Sequence, residues 1–104
     1  MWSLLLHYFK GGGSHLNSNS RETHDFQVLI IKLFNKTRRE TEERFRLSKQ
    51  TIKYFDAIGS YLDTYLIVYD SLLKVSEVLS TVRKANELET VEREMKVLYD
   101  TFWD

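Results

Sequence analysis

The chain has 104 residues, enough for one domain, and its fifteen Lys and Arg balance fifteen Asp and Glu to a formal net charge of zero. That balance argues against a domain whose main work is gripping nucleic acid, since such domains carry a marked basic excess. The absence of cysteine removes a disulfide framework, a thiolate metal site and a thiol nucleophile, and leans towards an intracellular setting, cytoplasm or nucleus. Proline is absent too, and three of the four glycines are Gly11, Gly12 and Gly13. A body so poor in breakers favours helices over sheets with their tight turns.

Residues 1–10 carry Trp2, Leu5, Leu6 and Phe9 at the i, i+3, i+4, i+7 spacing of one helical face. Ten residues cannot sustain a helix alone in water, so this segment is expected to act as a docking peptide that needs a surface. It lacks the basic flank and cleavage site of a signal peptide, and no run of 18 apolar residues occurs anywhere, so no transmembrane segment is expected.

Residues 11–19, Gly-Gly-Gly-Ser-His-Leu-Asn-Ser-Asn, have the composition of a flexible linker. One composition stops and another starts there, which reads as an engineered join between a short ligand peptide and a helical domain over residues 20–104. About ten residues of such a linker have an r.m.s. span near 17–19 Å, enough to reach a neighbouring helix face. The competing reading is a natural glycine-rich loop after a short helix.

In the body, Asn19 and Glu22 fit a capping box. Phe26, Leu29, Ile30, Leu33 and Phe34 make an apolar face that Val28 and Ile31 widen. Thr37 and Glu40 form a second possible box, either starting a helix or lying within one. From Arg38 to Lys53 the sequence is heavily charged, with Glu40–Arg44 and Glu42–Arg46 in the favourable i,i+4 order. A basic grip by Arg38, Arg39, Arg44, Arg46 and Lys49 is spoiled by the interleaved glutamates, so a solvated face is the expectation.

Residues 54–82 are apolar on several sides. Ile58, Leu62, Tyr65, Leu66, Tyr69, Leu72 and Leu73 form one broad face, and Tyr54, Tyr61, Val68, Val75 and Val82 recur every seven residues on another. Asp56, Asp63, Asp70 and Glu77 keep the same heptad phase as a single acidic, solvent-facing strip. Gly59-Ser60 could break the helix, but the phase runs straight across it, and an interior glycine costs only about 1 kcal/mol. The phase predicts one long helix from about Arg38 to Lys84, roughly 70 Å, which is too long for a compact domain of this size and would want a second chain beside it. Asn86 and Glu89 then give a further capping signal, and Leu88, Val91, Met95, Leu98 and Phe102 follow at coiled-coil spacing, as a helix folded back on the long one. Trp103 either covers the end of the bundle or meets a partner.

The search for chemistry is empty. Gly11–Gly13 lack the strand and lysine of a phosphate loop, and His7, His15 and His24 show no helical metal-ligand pairing. No nucleophile–base pair stands out, no cofactor is expected, and Asn35-Lys36-Thr37 matches the glycosylation pattern by chance. No stretch matches a family motif, so no functional residue is carried over.

These features predict an all-α fold, a helical bundle or hairpin with one long central helix, coiled-coil-like and oligomeric. The expected function is a non-catalytic protein–protein interaction or scaffold module with an apolar groove. Trp2, Leu5, Leu6 and Phe9 are the candidate docking anchors. Leu62, Tyr65, Leu66 and Tyr69, with Leu88, Val91, Met95, Leu98 and Phe102, are the candidate partner-binding helical faces. A helical peptide, a second copy or a larger protein complex is the expected partner, and no small-molecule substrate is. Alternatives are a self-assembling coiled-coil scaffold, or a membrane-surface anchor through residues 1–10. The latter is weakened because Lys10 is the only basic residue there.

Overall fold

The computed structural model describes residues 20–65 and 68–103; the proposed peptide and linker, residues 1–19, lie outside them. Within the described residues the chain forms four helices: α1 Ser20–Arg44, α2 Lys49–Thr64, α3 Tyr69–Lys84 and α4 Leu88–Trp103. The body is thus an all-helical bundle. At about 1.5 Å per residue the 25 residues of α1 extend roughly 37 Å, close to the 40 Å long axis of the molecule.

The helices pack as two side-by-side hairpins. Helix α1 lies against α2 and α3, and α4 lies against the same two. Side-chain contacts fix their directions. The Phe26 ring meets Tyr69, start to start, and Arg44 reaches the carbonyls of Arg83 and Ala85, end to end, so α1 and α3 are parallel. Thr51 meets Glu92 at one end and Tyr61 meets Phe102 at the other, so α2 and α4 are parallel as well. Gln27 on Leu62 makes α1 and α2 antiparallel.

The core follows the apolar spacing. Phe26, Ile30, Leu33 and Phe34 of α1, Phe55, Ile58 and Leu62 of α2, Leu72, Val75, Val78, Leu79 and Val82 of α3, and Val91, Met95 and Leu98 of α4 are all buried. Each helix presents one stripe at three- and four-residue steps, and two neighbours cover it. Leu29 and Val28, read as part of the α1 face, are exposed instead, while Ile31 packs half-buried on the core.

The long helix expected over Arg38–Lys84 is not observed. The chain leaves helical geometry at 45–48 and again at Tyr65, before α3 starts at Tyr69, and Thr37-x-x-Glu40 lies inside α1. At the first break Ser48 is an N-cap with extended backbone (φ −68°, ψ 158°), and its hydroxyl accepts the Thr51 N–H at 3.1 Å. At the second, Tyr65 (φ −107°, ψ 143°) and Val68 (φ −70°, ψ 157°) are extended. No glycine or proline marks that turn. The side-chain amide of Gln27, buried on α1, donates to the carbonyls of Leu62 at 2.7 Å and Tyr65 at 2.9 Å, satisfying groups that a helix C-terminus leaves without intrahelical partners.

The heptad phase of Asp56, Asp63, Asp70 and Glu77 crosses the second break only in sequence. All four are exposed, but two belong to α2 and two to α3. The length argument for a second chain goes with the long helix. Continuity across Gly59 does hold, and packing explains the glycine: a Cβ there would sit 3.2 Å from Cε2 of Phe34. Gly59 lets α1 and α2 approach closely around a buried ring.

Candidate interaction surface

The parallel pairing of α2 and α4 brings two sets of aromatic residues onto one seam. On α2, Tyr54 and Tyr61 are seven residues apart, with Tyr65 just past the end of the helix; on α4, Tyr99, Phe102 and Trp103 lie within one turn. These spacings place Tyr54 with Tyr61, and the three α4 rings together, each on one helical face. Tyr54 meets Tyr99 with ring centroids 5.0 Å apart. Tyr61 is the hub: it stacks on Phe102 at 4.3 Å, meets Trp103 edge-on at 5.1 Å and touches Tyr65 at 4.7 Å. Trp103 also stacks on Tyr99 at 4.7 Å.

Exposure divides this cluster into base and tip. Tyr54, Tyr61, Tyr99 and Phe102 are half-buried against the core, whereas Tyr65 is 55% exposed and Trp103 45% exposed. Val68, 68% exposed, follows Tyr65 in the same connection. The tip lies at the end of the bundle where α1 begins, since Gln27 of α1 holds the Tyr65 carbonyl and Phe26 packs on Tyr69 at 6.3 Å. Exposed Val28 and Leu29 occupy that same stretch of α1. Rings whose positions are fixed by other rings lose little conformational freedom on binding, which suits an interface anchor.

The other end of the bundle is polar. Glu92 of α4 accepts from the Thr51 hydroxyl at 2.7 Å, and hydrogen bonds from Ser48 and Thr51 hold its carboxyl below the ordinary value. On the α1–α3 side, Arg44 donates to the carbonyl of Arg83 at 3.2 Å and to that of Ala85, closing the C-terminus of α3. Its guanidinium also lies over the Phe45 ring at 4.9 Å. A cleft of ≈ 90 Å³ there is lined by Glu40, Thr41, Arg44 and Arg83, with Glu40 3.7 Å from Arg83 across it. Arg38 is engaged by Glu42 at 2.8 Å and by Asp56 at 2.7 Å. Burial opposes its charge, but these two carboxylates outweigh that and raise its pKa. Three arginines of the charged segments are therefore occupied within the chain.

The candidate residues separate accordingly. Leu62, Val91, Met95 and Leu98 are completely buried, so they join helix to helix within the bundle and offer no outer face. The coiled-coil spacing of α4 is its inner stripe. Tyr69 and Phe102 are partly buried, against Phe26 and Tyr61 respectively, and Leu88 is half-buried at the start of α4. Among the described residues of the predicted helical faces, Tyr65 is the strongly exposed one. Leu66, with Trp2, Leu5, Leu6 and Phe9, lies outside the described residues. Tyr54, Tyr61 and Tyr99 are not among the interface residues expected from the sequence, and Trp103 is expected either to cover the bundle's end or to meet a partner. Their helical spacings were visible, but the parallel pairing that joins them connects segments some 40 residues apart.

Among the described residues no group of three or more His, Asp or Glu could hold a metal ion, and no helix is long and apolar enough to cross a membrane. No family model matches the chain, and neither does any curated protein or solved structure.

Proposed function

We propose that the chain is a non-catalytic helical module that binds protein partners through the aromatic face of α2 and α4. The observation that carries this reading is the contrast within one cluster. Tyr65 and Trp103 stand exposed, yet both rest on Tyr61, whose own ring is wedged against Phe102. Tyr and Trp are the residues that most often dominate binding energy, and a half-buried base supplies the fixed surface against which they work. The ligand class that fits is an amphipathic helix laying an apolar stripe across the seam. A chain free of cysteine is at home in the cytoplasm or nucleus.

The test is a comparison of the full chain with a Tyr65→Ser/Trp103→Ser variant, both used for cross-linked capture of partners. Tyr65→Ser should cost little, whereas Trp103→Ser gives up ring contacts with Tyr61, Tyr99 and Phe102 and should lower the melting temperature, so capture is run well below both melts with circular dichroism showing both proteins folded. Proteins retained by the parent and lost by the variant support the reading. The same set recovered with both removes it.

A second reading makes this face self-complementary, giving a homo-oligomeric scaffold of coiled-coil type. The exposed tip of Tyr65, Val68 and Trp103 favours it, since a second copy can bury the same residues. Sedimentation velocity across a hundredfold concentration range separates the two. A mass of one chain throughout excludes self-assembly.

A further inference from the structure

We infer that residues 1–10 of the same chain are the occupant of this face, docking on its exposed tip around Tyr65, Val68 and Trp103. The inference rests on the proposed binding role of the α2–α4 seam and adds the identity of the ligand. Three observations carry it. The described chain begins at Ser20, on the helix whose first turns lie at the exposed end of the seam. Gln27, seven residues on and roughly 10 Å along the axis, already touches the Tyr65 carbonyl. Residues 11–19 are nine positions, which can reach at most about 30 Å, so the length of chain before α1 is enough to cover the distance.

Chemistry matches at both ends of that tether. Trp2, Leu5, Leu6 and Phe9 have the spacing of one helical stripe, and the exposed end of the bundle offers Leu29, Tyr65, Val68 and Trp103 as apolar and aromatic partners, flanked by exposed Asp63 and Asp70. The opposite end offers Glu40, Arg44, Arg83 and Glu92, already paired with one another or with backbone and hydroxyl groups. An apolar stripe has nothing to gain there. Tethering also fixes the strength required. A linker of this length gives an effective concentration of roughly 1 mM, so a ligand with a Kd near 0.1 mM would be about nine-tenths docked.

The experiment uses the full chain and its Leu6→Glu variant, both labelled for amide NMR at low concentration. Leu6→Glu should shift the signals of Leu29, Tyr65, Val68, Tyr69 and the Trp103 indole, while those of Ser48, Thr51 and Ala85 stay in place. Synthetic peptide 1–10 added to Leu6→Glu should restore the parent positions, and it should bind the parent chain about tenfold more weakly. Shifts confined to the Arg44–Arg83 end, or no shifts, overturn the inference. Parent signals that move with protein concentration assign the face to a second copy and overturn it as well. Loss of partner capture by Tyr65→Ser/Trp103→Ser without any effect of Leu6→Glu would leave the binding role standing and remove only its internal ligand.

Discussion

Replacing Gln27 with methionine tests how the second turn is made. The two side chains are nearly the same size, so the core is barely disturbed, but the donor that serves two carbonyls is gone. The bond to Leu62 is buried at 2.7 Å and the bond to Tyr65 is partly buried at 2.9 Å. Stranding a buried carbonyl costs about 1–3 kcal/mol, and the half-exposed one loses about 1 kcal/mol of net hydrogen bonding before water replaces it. The sum is about 2–4 kcal/mol, a fall in melting temperature of about 8–30 °C for a domain of this size. Urea denaturation measures the free energy, and amide exchange should quicken first in the last turn of α2 and at residue 65. Gln27→Glu should be worse at pH 7, where the carboxylate can only accept and faces two carbonyls, and should recover partly at low pH as protonation returns a donor. A cost of Gln27→Met below about 0.5 kcal/mol would refute the reasoning, because it would mean that water already serves these groups.

Other consequences follow from particular contacts. Gly59→Val should cost about 1–3 kcal/mol by forcing extra carbon against the Phe34 ring, whereas Ser60→Ala beside it should be near neutral; calorimetric melting of both variants checks the pair. Arg44→Met should lower stability by about 1 kcal/mol and speed amide exchange at Ala85 and the residues following it, since the C-terminal carbonyls of α3 lose their cap. Hydrogen bonds from Ser48 and Thr51 hold the folded pKa of Glu92 below the ordinary glutamate value, so its contribution is complete above that ordinary value and is lost as pH falls through the lower folded one. Glu92→Gln should accordingly be less stable than the parent at pH 7, and the gap in melting temperature should close in acid. A gap that persisted unchanged at pH 2 would contradict the assigned hydrogen bonds.

The sequence was most informative where local periodicity decides the outcome. The inner stripes at Phe26, Ile30, Leu33 and Phe34 and at Val91, Met95 and Leu98 are legible because a helix facing two neighbours needs apolar residues at those steps. The passage of α2 through Gly59 was legible from phase for the same reason. The break before Ser48 carries no capping box, since Thr51 rather than Glu or Gln stands three residues on, and only the structure shows Ser48 as the N-cap. The turn at 65–68 carries no signal either: Tyr-Leu-Ile-Val contains no breaker, and the residue that caps it lies 35 positions upstream on another helix. The surface was legible only in part for a related reason. Apolar spacing marks a face without saying whether it turns inward, so Leu62 and Leu98 were grouped with Tyr65, and only the bundle's packing tells them apart.

The most direct test of a binding face on α2 and α4 is a calorimetric titration of synthetic peptide 1–10 into full-length Leu6→Glu, repeated with Trp103→Ser added. The account predicts saturable binding to the first protein and at least tenfold weaker binding to the second, with both fully folded at the titration temperature by circular dichroism. Equal affinity for the two would contradict it, because the exposed aromatic tip would then contribute nothing to recognition.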